Sequence, residues 1–118
     1  MRHVVFTPDA EQPKRLTEPV LLILASLAHK PRHGYALMKD IETLSEGRVS
    51  LSTGTLYGAL RRMLEDGMIE RFEQNDDSRD KQAYRITAAG RRQLQTELER
   101  MKQLVKAASL RLRMAGAR

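Results

Sequence analysis

Residues 52–67 read STGTLYGALRRMLEDG, and the spacing of their apolar side chains decides the fold. One face of this stretch repeats at helical intervals and carries Leu56, Ala59, Leu60, Met63 and Leu64. Ser52 or Thr53 is suited to begin the helix, and Gly67 to end it after about Asp66, because glycine adopts left-handed backbone angles at little cost. The spacing therefore predicts an amphipathic helix whose apolar side faces a core.

The opposite face of the same helix carries glycines and polar side chains where the first face carries apolar ones. Gly54, Tyr57, Gly58 and Arg61 lie on one stripe, with Thr53 and Arg62 beside it. Each glycine costs about 1 kcal/mol relative to alanine inside a helix, so two of them indicate a surface built for close contact. Hydroxyl groups at a helix N-terminus suit a phosphate, and an arginine suits a base edge. The alternative is that Tyr57 packs against the core and the arginines are merely solvated.

Two more helices are predicted upstream. Thr17 can cap an apolar helix that includes Val20–Leu27, which must be buried all round, either at the centre of the domain or partly beneath a second subunit. After a break at Lys30-Pro31-Arg32, residues 33–45 form an amphipathic helix. Its apolar positions are Leu37, Met38, Ile41 and Leu44.

Two strands and a long helix are predicted downstream. The strands Met68–Glu73 and Gln82–Thr87 form a hairpin around a polar turn. Arg79 and Lys81 flank this turn and could meet a phosphate or a minor groove, although three aspartates, Asp76, Asp77 and Asp80, lie in the same segment. After Thr87, apolar residues recur at intervals of four and three, as in a coiled coil. They form the heptad stripe: Leu94, Leu98, Met101, Val105, Ala108 and Leu112.

The element order predicts a mainly α fold with a small β-hairpin, which is a winged helix-turn-helix followed by a C-terminal dimerisation helix. Residues 1–16 are expected to be a loosely ordered arm, 17–87 the DNA-binding domain, and 88–118 the dimerisation helix with a basic tail. The heptad stripe could pack within its own subunit. A helix of about 25 residues overhangs so small a core, however, and a partner helix explains it better.

Charge and composition restrict the function further. The chain has 118 residues, a net charge of +6, and no cysteine, so it has neither disulfides nor thiolate metal sites. Residues 91–118 hold 8 basic and 2 acidic side chains, whereas residues 1–90 hold 13 of each. A basic protein favours a polyanionic partner. The chain shows neither a leader nor an apolar run long enough to span a membrane, so we expect it in the cytoplasm.

Catalytic and metal sites are not predicted. The histidines His3, His29 and His33 have no second ligand at metal spacing. Ser50, Ser52 and Thr55 have no general base that their spacing would place nearby, and no phosphate-binding glycine loop follows a strand. We therefore expect a protein that is not an enzyme and that has no cofactor.

The sequence resembles the PadR-like transcriptional regulators from about Leu16 to Lys106. The matching motifs are His33-Gly34-Tyr35-Ala36-Leu37, Gly54-Thr55-Leu56-Tyr57 with Ala59-Leu60 and Leu64, Gly67-Met68-Ile69-Glu70, and Tyr84-Arg85-Ile86-Thr87-Ala88-Ala89-Gly90. The resemblance implies a dimer formed by the last helix with help from the first, DNA contact by residues 52–62 and the wing, and usually repression. It implies structural roles for His33 and Tyr35. The single C-terminal helix is similar to the smaller subfamily, some members of which bind flat aromatic or cationic compounds at the dimer interface.

Together these observations predict a homodimeric repressor that binds double-stranded DNA at a palindromic operator. The candidate DNA-binding residues are Ser52, Thr53, Gly54, Thr55, Tyr57, Gly58, Arg61, Arg62, Arg79 and Lys81. A small aromatic or cationic effector is a further expectation, but no residue identifies it. The competing hypothesis is a winged-helix module that docks on another protein and does not bind DNA.

Overall fold

The computed structural model describes residues 16–72 and 82–116. Its elements are α1 (Glu18–His29), β1 (Arg32–His33), α2 (Gly34–Leu44), α3 (Thr53–Glu65), β2 (Ile69–Phe72), β3 (Ala83–Ile86) and α4 (Ala88–Gly116). This order confirms the predicted winged helix-turn-helix with an appended helix. Of the predicted elements, the N-terminal arm up to residue 15 and the wing turn lie outside the described residues.

The sheet has three strands, whereas the sequence predicted a hairpin of two. β3 lies in the middle and pairs antiparallel with β2 on one side and with β1 on the other, where Arg32 lies opposite Tyr84. The predicted hairpin is present as β2 and β3, but the sequence missed β1, because Arg32 was assigned to a break at Lys30-Pro31-Arg32. A strand of two residues is too short to show an alternating pattern. Because α2 begins directly after β1, the pairing of β1 with β3 fixes the start of α2 to the strands of the wing.

The helices α1, α2 and α3 enclose one core with β2, β3 and the first turns of α4. Its fully covered side chains include Ile23, Leu24, Leu37, Ile41, Leu56, Leu60 and Met63. Leu21 and Leu22 of α1 are only partly buried in the single chain. Of the two expectations for this apolar helix, complete burial at the centre of its own domain does not hold, and partial cover by a second subunit stays a prediction. Leu44, predicted to face the core, is 47% exposed. It is the last residue of α2, and the chain turns away through Gly47 at φ 80°.

A polar network joins α1 to α2. Ser26 is buried within α1, and its hydroxyl donates to a carboxylate oxygen of Asp40 at 2.6 Å. Arg32 donates to the Ser26 carbonyl oxygen at 3.3 Å, and its guanidinium lies 3.4 Å from Asp40. Because a buried hydroxyl without partners is costly, this network specifies how the two helices meet.

The start of α4 is fixed by the residues around Thr87, as the sequence predicted. The Gly90 amide donates to the Thr87 side-chain oxygen at 3.0 Å, so Thr87 caps the helix. The Thr87 amide in turn donates to the Met68 carbonyl oxygen at 3.0 Å. Gly90 packs so closely on this carbonyl that a Cβ atom there would lie 3.0 Å from the Met68 carbonyl carbon. Only glycine permits that approach.

Candidate nucleic-acid interface

The first turn of α3 carries a set of ordered hydroxyl groups. Ser52 caps the helix, and its Oγ accepts the Thr55 amide at 3.1 Å and donates to the Thr55 hydroxyl at 3.0 Å. Thr53 lies beside them, and all three side chains are exposed. The helix N-terminus carries a partial positive charge, so this end of α3 is suited to an anion.

The outer stripe of α3 is exposed as predicted from its spacing. Arg61 and Arg62 lie in solvent, while the core side of the helix is covered. A Cβ atom at Gly54 would meet nothing within 4 Å, and one at Gly58 would meet only the Arg62 guanidinium at 4.0 Å. The folded chain therefore has no steric need for glycine at either position, although each glycine weakens the helix.

Tyr57 lies across the gap between α3 and α2 rather than pointing straight out. Its hydroxyl end rests on Gly34, where a Cβ atom would lie 2.9 Å from Tyr57 Cζ and closer still to the hydroxyl oxygen. The ring remains 42% exposed. Burial raises the pKa of the neighbouring Tyr84 hydroxyl above its ordinary value; Tyr57 raises it further, and Arg71 opposes the rise. Tyr57 therefore packs in part on its own domain, as one interpretation of the sequence has it, and is exposed in part on the outer stripe of α3, as the other has it.

The wing is described only at its base. Arg85 on β3 pairs with Glu70 on β2 at 2.6 Å and lies 4.9 Å from the ring centre of Phe72. Arg79 and Lys81, the two predicted wing contacts, lie outside the described residues. Their role stays a prediction from the sequence.

Tyr35 and Lys39 on α2 are candidates that sequence reasoning missed. Tyr35, to which the family resemblance assigned a structural role, is 67% exposed, and the Lys39 ammonium lies 5.4 Å from its ring centre. Both residues line a small groove with Leu51, which precedes the Ser52 cap of α3. Their spacing of four along α2, away from the predicted apolar positions, was the available signal, but the resemblance assigned Tyr35 a structural role.

The heptad stripe divides into a covered part and an exposed part. Leu94 belongs to the core of its own chain at 7% exposure, so it cannot serve a second subunit in the way the sequence suggested. Beyond it the stripe is open, with exposed fractions of 51% at Leu98, 63% at Val105 and 74% at Leu112. Met101 and Ala108 are exposed as well. Sequence reasoning missed Leu104, a neighbour of the stripe that is also exposed.

Metal-binding clusters and membrane-spanning helices are absent from the described residues. No three histidine, cysteine or acidic side chains among residues 16–72 and 82–116 come close enough together to hold a metal ion. Within the same ranges, none of the helices has the length and apolar character needed to cross a membrane.

Comparison with known proteins agrees with this geometry. Residues 23–96 match the model of the family described as the transcriptional regulator PadR-like family. A PadR family transcription regulator from Clostridium difficile is 24% identical, with a TM-score of 0.69 over 81% of this chain and 99% of that one, which shows a shared fold. A PadR family regulator from Eggerthella lenta is 29% identical, with a TM-score of 0.64 over 79% of this chain and 80% of that one.

A curated relative extends the comparison to a larger protein. An uncharacterized 37.1 kDa protein in a transposon of Streptomyces fradiae is 36% identical over 90 residues, which make up 76% of this chain. The match spans about a quarter, 25%, of that relative's length. The similarity therefore concerns one part of the relative.

Proposed function

The chain belongs to the PadR-like family of transcriptional regulators, and on that premise we propose that it is a repressor that binds a palindromic operator as a homodimer. α3 enters the major groove, and the wing contacts the sugar-phosphate backbone. A twofold-symmetric dimer presents two copies of α3, which is why the operator is palindromic. We further propose that the protein acts in the cytoplasm and is not an enzyme.

The observation that carries the proposal is the empty space above Gly54 and Gly58. Neither glycine is required by a positive φ or by a neighbouring atom of the chain. Two helical glycines together cost roughly 2 kcal/mol relative to alanine, and a partner that approaches the α3 backbone closely accounts for that cost. A DNA groove is such a partner, since it admits a helix only if its exposed side chains fit between the strands.

Neighbouring side chains support the same assignment. The hydroxyl groups of Thr53 and Thr55 lie at the helix N-terminus, where they can donate to a phosphate that the helix dipole also stabilises. Ser52 caps this end and donates its own hydroxyl proton to Thr55. Arg61 lies two turns further along the stripe and is exposed, so its guanidinium can reach a base edge. Arg62 lies beside Gly58 and suits a flanking phosphate.

The substitution Gly58→Ala tests the proposal directly. Alanine should stabilise the fold by up to about 1 kcal/mol, because the helix gains propensity and meets no obstacle. It should nevertheless weaken operator binding at least tenfold, since the methyl group fills the space reserved for DNA. Gly116→Ala is the matched control, because its Cβ atom also meets open space but lies at the far end of α4.

Thermal melting and fluorescence anisotropy with operator DNA provide the two measurements. A Gly58→Ala protein that is more stable and still binds the operator like wild type would exclude α3 as the reading helix. Loss of both stability and binding would mean that Gly58 has a structural role, and the argument from empty space would fail.

The competing hypothesis is docking on another protein through Tyr57 and its surroundings. Salt distinguishes the two. Each neutralised phosphate contributes a slope of about 0.9 to the fall of log affinity with log salt, so DNA binding weakens steeply as salt is added. A docking surface that buries a half-exposed tyrosine responds weakly to salt.

The small-molecule effector is the remaining part of the proposal. A groove of about 430 Å³ lies between Leu16, which precedes α1, and the first turns of α4, and its walls include Asp66, Arg92 and Glu97. Such charged walls do not favour a flat aromatic compound. We therefore place an effector site at the dimer interface, where thermal-shift measurements with hydrophobic cations and phenolic acids would detect it.

A further inference from the structure

The exposed side of α2 carries an aromatic ring and a lysine that the core does not use. Tyr35 is 67% exposed, and Lys39 lies one turn further along the same side of the helix. The Lys39 ammonium lies 5.4 Å from the centre of the Tyr35 ring. At that distance a cation is attracted to the face of an aromatic ring, so the ring restricts where the ammonium lies.

We propose that Lys39 binds a DNA phosphate next to the start of α3, and that the ring of Tyr35 positions the lysine for this contact. The inference rests on the DNA binding proposed above. It adds a contact from α2, which is outside the candidate residues predicted from the sequence. It also gives Tyr35 a role that differs from the structural one implied by the family resemblance.

The first argument is the position of the pair beside the outer stripe of α3. Tyr57 projects from that stripe, and its hydroxyl end rests on Gly34, the residue before Tyr35. Packed helices lie about 8–10 Å apart, axis to axis. The major groove is about 12 Å wide, so a helix at its centre has a phosphate backbone about 6 Å from its axis on either side. The first turns of α2 therefore lie over the backbone rather than over the bases.

The second argument is a groove that joins the pair to the start of α3. This groove has a volume of about 250 Å³, and it is lined by Tyr35, Met38, Lys39, Glu42 and Leu51. Leu51 is followed by the Ser52 cap, so the groove lies beside the hydroxyl groups to which a phosphate is assigned. Each DNA strand carries one phosphate for about every 3.4 Å along the duplex axis. A strand that passes the start of α3 thus presents a further phosphate to Lys39.

The third argument is charge. None of the ion pairs formed among residues 16–72 and 82–116 involves Lys39. Glu42 lines the same groove, but its carboxylate accepts the Ser50 hydroxyl at 2.9 Å and is held towards the loop before α3. The cation of the groove is therefore available to a phosphate, whereas its anion already has a partner.

The fourth argument is the entropy that a flexible lysine loses when it binds. A lysine side chain has several rotatable bonds, and fixing them opposes binding. An ammonium that already lies on the Tyr35 ring has fewer positions to lose. Because the ring face provides this restriction, phenylalanine at position 35 should serve as well as tyrosine.

Salt titration of DNA binding tests the phosphate contact. Lys39→Gln should lower the slope of log affinity against log salt by about 0.9 per subunit, on operator and random duplexes alike, because each subunit loses one neutralised phosphate. At fixed salt the affinity should fall roughly tenfold per contact. Lys106→Gln is the matched control, since it removes the same charge from an exposed position on α4, and it should leave the slope unchanged.

Two substitutions at Tyr35 test the positioning role. Tyr35→Leu removes the ring and should weaken DNA binding about two- to fivefold per subunit although Lys39 is still present. Tyr35→Phe keeps the ring and should bind like wild type. Because Tyr35 is exposed, both proteins should melt close to the wild-type temperature. Equal losses in the two variants would mean that the hydroxyl group acts, and would overturn the positioning role of the ring.

Operators in which single phosphates are replaced by uncharged methylphosphonates locate the contact. One position per half-site, in the backbone beside the start of α3, should lower wild-type affinity by the same factor as Lys39→Gln. The two losses should not add when they are combined, because each removes one partner of the same pair.

Two outcomes would contradict these expectations in different ways. A wild-type slope in Lys39→Gln, with losses that add at every methylphosphonate position, would overturn the inference and leave α3 as the reading helix. A wild-type protein whose binding to DNA is weak and insensitive to salt would contradict the DNA binding itself, and the protein-docking hypothesis would take its place.

Discussion

The contact between Tyr57 and Gly34 makes a quantitative prediction about the recognition helix. The substitution Gly34→Ala adds a methyl group where the Tyr57 hydroxyl lies, so the ring must rotate towards solvent. A covered tyrosine buries about 150–250 Å², and 42% of Tyr57 is already exposed, so roughly 100 Å² of ring contact is at risk. At about 25 cal/mol per Å² the ceiling is about 2.5 kcal/mol. Partial rotation and the gain in helix propensity reduce the expected cost to about 1–2 kcal/mol.

A double-mutant cycle isolates this contact. In a Tyr57→Ala background the obstacle is gone, and Gly34→Ala should then cost nothing or stabilise slightly. Tyr57→Phe should rescue only in part, because Cζ would still lie 2.9 Å from the new methyl group. Guanidinium unfolding followed by circular dichroism, at one fixed protein concentration because a dimer is expected, gives the four free energies of unfolding.

The same proteins test whether the contact matters for DNA binding. In Gly34→Ala the displaced ring occupies the surface that faces the groove, so operator affinity should fall although no proposed DNA contact has been removed. An equal cost of Gly34→Ala with and without the Tyr57 ring would refute the contact. Unchanged operator affinity, measured by anisotropy, would refute its role in positioning α3.

The other predictions concern the dimer, base reading, α4 and the wing. Met101→Glu should convert the dimer to monomers at micromolar concentration, because it places a charge in the open stripe; sedimentation as a dimer would contradict this. Arg61→Ala should cost about 1–3 kcal/mol of discrimination at one base position and leave binding to random DNA nearly unchanged; an equal loss on both DNAs would make Arg61 a phosphate contact. Gly90→Ala should destabilise the fold by about 3 kcal/mol, since its obstacle is the hydrogen-bonded Met68 carbonyl rather than a side chain that can swing away; a melting temperature like that of wild type would exclude the close contact. Arg79→Ala with Lys81→Ala should weaken binding to all DNA alike, as a titration with specific and random duplexes can show.

Most elements were predictable because they repeat a local pattern over many residues. α3 has five apolar residues on one side within its 13 residues. Thr17, Ser52 and Thr87 cap helices, as their hydroxyl side chains suggest. β1 has no comparable signal, because its two residues become a strand only through pairing with β3. A strand that forms only by pairing with a distant part of the chain therefore cannot be predicted from its own residues.

The candidate site was predictable to a similar degree. Exposure of the α3 stripe follows from the helical period, since covering one side of an isolated amphipathic helix leaves the other side open. The position of Tyr57 against Gly34 does not follow, because 22 residues separate the two in sequence and no local rule brings them together. The exposure of Tyr35 agrees with the helical period, since Tyr35 is not among the predicted apolar positions of α2, and it was missed because the resemblance assigned that residue a structural role.

The heptad stripe shows most clearly what periodicity leaves undetermined. Leu94 and Leu98 are the same residue type one turn apart in one helix, yet Leu94 is 7% exposed and Leu98 is 51% exposed. The difference arises where Gly90 lets α4 lie on the Met68 carbonyl, so that the first turns of α4 pack on the core and the rest extends past it. A period identifies which side of a helix is apolar, whereas the length of the neighbouring core decides how much of that side is left for a partner. In this chain the part of the apolar side that is left for a partner begins at Leu98.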